Sequence, residues 1–153
     1  MANELQTALA AYTARRSTTQ SARDQRQLVD PAWVGDFVAA VDGGVIGTVV
    51  DAAVSQLAAA QLDAWVDSTS LSDMPTPTAA LCFAEPKPDG DAKRIARLVV
   101  VGDPVRHRVG IFQRVTGLDE RQAAPRWVAL EDLDAPTLWA AINGLLALLT
   151  AAL

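Results

Sequence analysis

The apolar residues of this chain change their spacing at residues 68–78. Before this segment they recur every three or four residues, which is typical of amphipathic helices, and after it, as far as about residue 130, they alternate or form short runs, which is typical of strands. The segment itself, STSLSDMPTPT, is rich in Ser, Thr and Pro and is predicted to be a loop. Helices followed by strands predict an α+β domain.

The first predicted helix covers residues 2–27, which contain no Gly or Pro. Leu5, Leu9 and Tyr12 share one face of it, whereas its second half is almost free of apolar residues. A helix with a polar second half either projects into solvent or meets an acidic surface. We therefore expect residues 1–27 to form a polar and basic arm.

Two further helices are predicted before the loop. Asp30 and Pro31 have the residue types of an N-cap and a first helical position, and the apolar face that follows ends at Gly43 and Gly44. A third helix is predicted over residues 45–66. Because residues 45–50 are largely β-branched, a short strand there, before a helix capped by Asp51, is the alternative.

Antiparallel strands are predicted after the loop, since tight turn signals such as Asp89-Gly90 and Gly102-Asp103-Pro104 join neighbouring apolar segments. The strands are placed at residues 79–84, 95–101, 105–115 and 126–130. The whole is one α+β domain over residues 1–153, in which helices cover a sheet of three to four antiparallel strands. Its parts are the arm (1–27), an acidic helical region (30–67), the sheet (79–130) and a C-terminal helix (135–153).

The C-terminal helix carries no charge over residues 135–153. A stripe of Leu138, Ile142, Leu145 and Leu149 is widened by Trp139 and Leu146, so we expect a core helix or an interface with another subunit. Its length approaches the roughly 20 residues of a membrane span. That alternative is disfavoured because Pro and Asn interrupt the segment and no Lys or Arg follows it.

The charges are sorted along the chain. Residues 27–86 contain eight acids and no Lys or Arg, although the chain has 13 Lys and Arg residues in all. Four of the basic residues, Arg15, Arg16, Arg23 and Arg26, lie in the arm, and the others lie between residues 87 and 126. Opposite charge blocks on one small chain favour docking onto copies of itself or onto another protein.

One face of the third predicted strand is basic. Alternation places Arg106, Arg108, Phe112 and Arg114 on this face and His107 on the opposite, more apolar one. Such a face could bind an acidic protein segment or a nucleic acid. Because the chain has a net charge of −5, binding to phosphate is the less favoured of the two.

The tryptophans are candidates for binding hot spots wherever they are exposed. Four are present, at positions 33, 65, 127 and 139, and each has apolar neighbours that favour the core. Trp33 is selected as the exposed one, because it lies at the junction between the polar arm and the second helix.

The chain offers few groups for catalysis. His107 is its only histidine and Cys82 its only cysteine, and Cys82 lies in an apolar run where a buried thiol is expected. Asp63 and Asp67 are spaced as one face of a helix, without the pattern of a metal site. We expect no cofactor and no metal. A small enzyme or ligand-binding domain with a pocket near His107 is kept as an alternative.

The sequence therefore predicts a non-enzymatic protein-protein interaction or assembly protein, such as an adaptor, a chaperone, an immunity protein or a structural subunit. Its partner would be another protein or copies of itself, with nucleic-acid binding through Arg106, Arg108 and Arg114 as a further alternative. A cytoplasmic location is expected from the single cysteine. The candidate interface residues are Arg15, Arg16, Arg23, Arg26, Trp33, Arg106, Arg108, Phe112, Arg114, Trp139 and Leu146.

Overall fold

A computed structural model describes residues 2–85, 94–116, 121–122 and 124–151, and within them the side chains of residues 3–20, 28–85, 94–116 and 124–151. The helices are α1 (Ala2–Gln27), α2 (Pro31–Val41), α3 (Val45–Ala59) and α4 (Ala135–Ala151), with a 3-10 turn at Leu130–Asp132. The strands are β1 (Asp63–Asp67), β2 (Thr78–Ala84), β3 (Ile95–Asp103), β4 (Arg108–Thr116), β5 (Arg121–Gln122) and β6 (Arg126–Ala129).

The strands form one antiparallel sheet in the order β1-β2-β3-β4, and β5 and β6 both pair with the outer side of β4. The predicted α+β class is confirmed. The sheet is five strands wide instead of three to four, since β1 adds an edge strand. The predicted turn at Asp89-Gly90 lies outside the described residues.

The predicted third helix is too long at its C-terminal end. It ends at Ala59 instead of residue 66, and the edge strand β1 follows it. Gln61 has a φ of 69°, a left-handed conformation that stops the helix. The residues that follow include Trp65 and Val66, which favour strands. Asp63 and Asp67 are therefore on a strand, and the spacing that suggested a shared helical face does not apply to them.

The start of the third helix is helical from Val45, so the alternative strand over residues 45–50 is wrong. Ile46, Val49, Ala53 and Leu57 are buried at helical spacing, and this burial outweighs the weak helix propensity of β-branched residues. The second helix begins as predicted. Asp30 accepts a hydrogen bond on Oδ1 from the Ala32 backbone N–H at 3.0 Å.

The turn between β3 and β4 lies two to three residues later than predicted, at residues 104–107. Asp103 still belongs to β3, and its Oδ1 accepts a hydrogen bond from the Arg106 backbone N–H at 3.1 Å, which closes the turn. His107 has a φ of 54°. Arg106 and His107 are therefore turn residues and not members of two opposite strand faces.

Helices α2, α3 and α4 cover one face of the sheet. Phe37, Leu98, Val109, Leu138 and Leu145 have no exposed surface and lie at the centre of this core. The predicted stripe of α4 is buried at all four of its positions. The other sheet face, called the open face below, has no helix against it among the described residues, since every described side chain of α1 is exposed.

One stretch of the described chain, Pro31–Ala59, has the length and hydropathy of a membrane-spanning helix. It consists of α2 and α3, which are separated at residues 42–44. Both helices bury apolar side chains in the core next to the sheet, Trp33 and Phe37 from α2 among them. The stretch therefore serves as two core helices in this fold.

Candidate functional site

The open face is built from alternate residues of each strand, and the register aligns them in rows across the sheet. One row holds Trp65, Cys82, Arg97 and Arg114, and the next holds Asp67, Ala80, Val99 and Phe112. A third row holds Thr78, Val101, Gly110 and Trp127. Small side chains on β2 thus lie between the aromatic residue on β1 and the aromatic residues on β4 and β6.

Trp127 is fixed on the open face by three neighbours. Its ring lies so close above Gly110 that a Cβ there would be 2.7 Å from Cζ3 of the indole. Phe112 packs edge-on against it, with ring centroids 5.7 Å apart, and the guanidinium carbon of Arg108 lies 4.1 Å from the indole centroid. Trp127 nevertheless remains 39% exposed. The indole is therefore held in place and still accessible.

Two grooves run beside these aromatic side chains. The larger has a volume of about 600 Å³ and is lined mainly by Val99, Val101, Phe112, Arg114 and Pro125. The smaller, of about 270 Å³, lies between the loop at Pro75 and the side chains of Arg108 and Trp127. Val101 lines both, so the two grooves meet on β3. Together they offer an apolar channel with arginines along its sides.

Asp103 organises the arginines at one end of this channel. It accepts hydrogen bonds on Oδ2 from Arg108 Nε at 3.1 Å and from Arg106 Nη1 at 3.5 Å. Burial raises the pKa of Asp103, but the hydrogen bonds and charges of Arg106 and Arg108 outweigh that effect and hold the pKa below its usual value. The carboxylate therefore stays ionised and keeps Arg108 against Trp127.

At the other side of the open face, Cys82 lies beside Arg97, next to Trp65 on β1. Cys82 is 1% exposed, and burial raises the pKa of its thiol, whereas the charge of Arg97 acts in the opposite direction without reversing the shift. The thiol is therefore protonated and shielded, which is the state of an unreactive cysteine. Arg97 donates a hydrogen bond from Nη1 to Thr116 Oγ1 at 3.0 Å.

Trp33 is not the exposed tryptophan that the sequence suggested. It is 7% exposed because α2 turns it into the core, where its ring stacks on Phe37 with centroids 5.7 Å apart. The exposed tryptophans are Trp65, at 41%, and Trp127. The sequence alone does not indicate that these two tryptophans are exposed. The strand register is also needed, and it places both on the open face.

His107 lies on the turn and contacts the start of α2. Its Nε2 is 3.2 Å from Asp30 Oδ2, and its ring stacks on Trp33 at a centroid distance of 6.1 Å. His107 therefore does not form a common site with Cys82, which lies on the open face. Among the described residues, no group of three His, Cys, Asp or Glu side chains is close enough to hold a metal ion.

The structure brings together part of the predicted interface set. Arg108, Phe112 and Arg114 share the open face, with Arg106 on the adjoining turn. Trp139 is half-buried and Leu146 is 38% exposed, and both lie on α4, on the helical side of the sheet. On α1, the side chains of Arg15 and Arg16 are exposed, whereas those of Arg23 and Arg26 lie outside the described side chains.

Comparisons of this chain with protein-family models, with curated proteins and with solved structures found no match. The geometry of the open face is therefore the basis of the proposed function.

Proposed function

We propose that this protein is a non-enzymatic interaction or assembly protein that binds another polypeptide chain on its open face. The observation that carries the proposal is the pair of exposed tryptophans, Trp65 and Trp127, on the one sheet face that no described helix covers. A sheet face that carries apolar side chains on several strands normally packs against another layer, and exposed aromatic side chains beside a groove are typical of binding hot spots.

The chemistry of the channel supports a partner segment that is apolar and carries carboxylates. Val99, Val101 and Phe112 provide apolar contact, and Arg106, Arg108 and Arg114 provide cationic groups along the same channel. A nucleic acid is less well supported, because Asp67 and Asp103 lie on this face and Asp103 already neutralises part of the cationic charge.

An enzyme built around His107 has weaker support than a binding protein. The imidazole stacks on Trp33 and pairs with Asp30, so its contacts attach the turn to α2. We also propose a cytoplasmic location, which the single cysteine, Cys82, supports because it allows no disulfide within the chain.

The proposal can be tested by photo-crosslinking in cells that produce the full chain. Benzoylphenylalanine is introduced in place of Trp127 and, separately, of Trp65, so that one aromatic group replaces another. The matched control carries it in place of Gln56, an exposed residue of α3 on the helical side of the sheet. Crosslinked products are separated by size and identified by mass spectrometry.

We expect polypeptide adducts from positions 127 and 65 and none from position 56. An adduct with the same chain supports self-assembly, and one identified as a different protein supports an adaptor or chaperone. Adducts with nucleic acid alone, or no adduct at either tryptophan position, would contradict the proposal.

A further inference from the structure

The structure leaves a second apolar surface without a partner, on α1. This helix is 26 residues long, and its described side chains, residues 3–20, are all exposed. Leu5, Leu9 and Tyr12 form one stripe and are 63%, 54% and 64% exposed. Because isolated helices gain little stability from propensity alone, a helix with such a stripe is normally stabilised by packing against another surface.

We propose that residues 2–16 of α1 dock on the open face of a second copy of this chain, and that the exchange is reciprocal and forms a two-fold dimer. This inference rests on the proposed function of the open face and names its occupant. The apolar stripe of α1 would lie over Val101 and Ala80, between Trp127 and Trp65.

Charge selects both the part of α1 that docks and its direction. Residues 2–14 carry Glu4 and no Lys or Arg, whereas Arg15 and Arg16 follow directly. The open face is basic near Arg108, and its edge strand brings the carboxylate of Asp67, on which the charge of Arg97 on β3 also acts. Placing Glu4 near Arg108 and Arg16 near Asp67 therefore makes both ends of the contact complementary.

The spacing of these charges agrees with the dimensions of the sheet. Glu4 and Arg16 are about 18 Å apart along the helix, from 1.5 Å per residue. Asp67 is in register with Phe112 three strands away, and Arg108 is four residues from Phe112. At about 4.8 Å per strand and 3.3 Å per residue, Arg108 and Asp67 are about 20 Å apart on a diagonal across the channel.

Docking of α1 onto its own open face would reverse this complementarity. Only Leu28 and Val29 separate α1 from Asp30, and Asp30 is attached to the β3-β4 turn through His107 and the Pro104 carbonyl. The basic half of α1 is thus tethered at the end of the sheet that holds Arg106 and Arg108. Like charges would meet there, so the helix of a second copy is the favoured occupant.

A reciprocal exchange also supplies more contact than a pair of α1 helices. A pair of α1 helices would be held by only three apolar side chains from each helix. In a parallel pair, Arg16 of one chain would also face Arg16 of the other. In the exchanged dimer, each open face receives one helix, so two separate contacts hold the assembly. Such isologous pairs are the commonest oligomers, and stable ones bury about 1,200–2,000 Å².

The test measures the solution mass of the full chain and of four variants by sedimentation velocity. The helix variant carries Leu5→Ala and Leu9→Ala, which preserve helix propensity and remove two of the three apolar side chains of the stripe. The face variant carries Trp127→Ala, and Trp65→Ala is a second face variant at an independent position. Leu146→Ala removes from α4 a leucine that is as exposed as the two tryptophans, and it is the control. Thermal unfolding establishes that each variant is folded.

We expect the natural chain and Leu146→Ala to sediment at twice the chain mass of 16.2 kDa. Each helix or face variant should raise the dimer dissociation constant at least about 30-fold, the usual effect of losing a hot spot. A mixture of the helix variant with the Trp127→Ala variant should recover a heterodimer, because one of its two contacts is intact. A monomeric natural chain, face variants that dimerise normally, or a mixture without heterodimers would overturn the inference.

The two proposals fail in distinguishable ways. A natural chain that is monomeric, yet crosslinks to a different protein through position 127, would remove the dimer and leave the proposed function standing. Dimerisation that persists in both face variants, together with no polypeptide adduct at positions 65 and 127, would remove both.

Discussion

At the scale of single residues, Gly110 decides how Trp127 is presented. Beyond the contact with Trp127, a Cβ at Gly110 would lie 2.8 Å from Cε2 of Phe112, so any larger residue must displace one of the two rings. The missing side chain on β4 thus makes room for the indole on the open face. This arrangement combines a rigid position with an accessible surface, and both are properties of binding hot spots.

We therefore predict that Gly110→Ala lowers the free energy of unfolding by about 1–3 kcal/mol through overpacking, and weakens binding at the open face. Tryptophan emission should shift to longer wavelength as the indole moves into solvent. The control is Gly35→Ala in α2, where nothing lies within 4 Å of the added Cβ and helix propensity predicts a gain of about 0.5–1 kcal/mol. Equal stability and binding for Gly110→Ala and the natural chain would mean that the rings adjust freely.

Residue types alone could not identify the exposed tryptophans. Trp33 follows a polar arm, yet α2 directs it into the core, and the position of a helix relative to a sheet is a tertiary property. Trp127 lies in a short strand whose pairing with Gly110 depends on the register of β4 and β6. By contrast, Arg108, Phe112 and Arg114 were placed on one face correctly, because strand alternation is a local property.

At the scale of elements, α4 shows how an uncharged helix is used in the core. Leu145 has no exposed surface, whereas Leu146, the next residue, is 38% exposed. Gln113 on β4 also donates a hydrogen bond from Nε2 to the Ala141 carbonyl at 2.6 Å, which attaches the helix to the sheet. The membrane-anchor alternative for this segment has no support in such an arrangement.

Neighbouring leucines of α4 offer a matched test of this role. We predict that Leu145→Ala lowers the free energy of unfolding by about 2–5 kcal/mol, because it removes buried contacts and leaves a cavity. Leu146→Ala should change it by less than about 0.5 kcal/mol. Urea denaturation measures both. Similar losses at the two positions would mean that Leu146 is also buried in solution, as it would be in an α4-mediated oligomer.

The element boundaries that the sequence did not predict have specific causes. The sequence predicts helix through residues 60–66 because no residue of the edge strand β1 is fully buried, so the strand shows no clear apolar alternation. The β3-β4 turn was placed too early because Gly102, Asp103 and Pro104 are typical turn residues. Gly102 instead lies in β3, where its missing side chain makes room for Trp33 and Phe37. Elements with a buried face, α2 and β2 among them, were predicted closely.

At the scale of the whole molecule, the sorted charges of the sequence correspond to different sides of the fold. Asp36, Asp42 and Asp51 are exposed on α2 and α3, on the helical side, whereas Arg108 and Arg114 belong to the open face. The edge strand departs from this division, since Asp67 brings acid to the open face. The open face therefore has cationic groups at the end near Arg108 and a carboxylate at Asp67, and this difference gives a bound helix a preferred direction.

The salt response of the proposed dimer follows from its combination of apolar and charged contacts. The stripe of α1 supplies most of the contact, and the Arg16 and Asp67 pair at its edge is exposed, where an ion pair contributes little. Raising salt from about 0.05 to 0.5 M should therefore weaken the natural dimer only severalfold, even though it screens charges to within a few ångströms.

Arg16→Gln should raise the dissociation constant about two- to fivefold at low salt and have no effect at high salt. Thr18→Glu changes the net charge equally on the opposite side of α1 and should leave the dissociation constant unchanged, because that side faces solvent. A dimer that dissociates completely at high salt would instead mean that charge alone holds the copies together and that the apolar stripe of α1 does not dock.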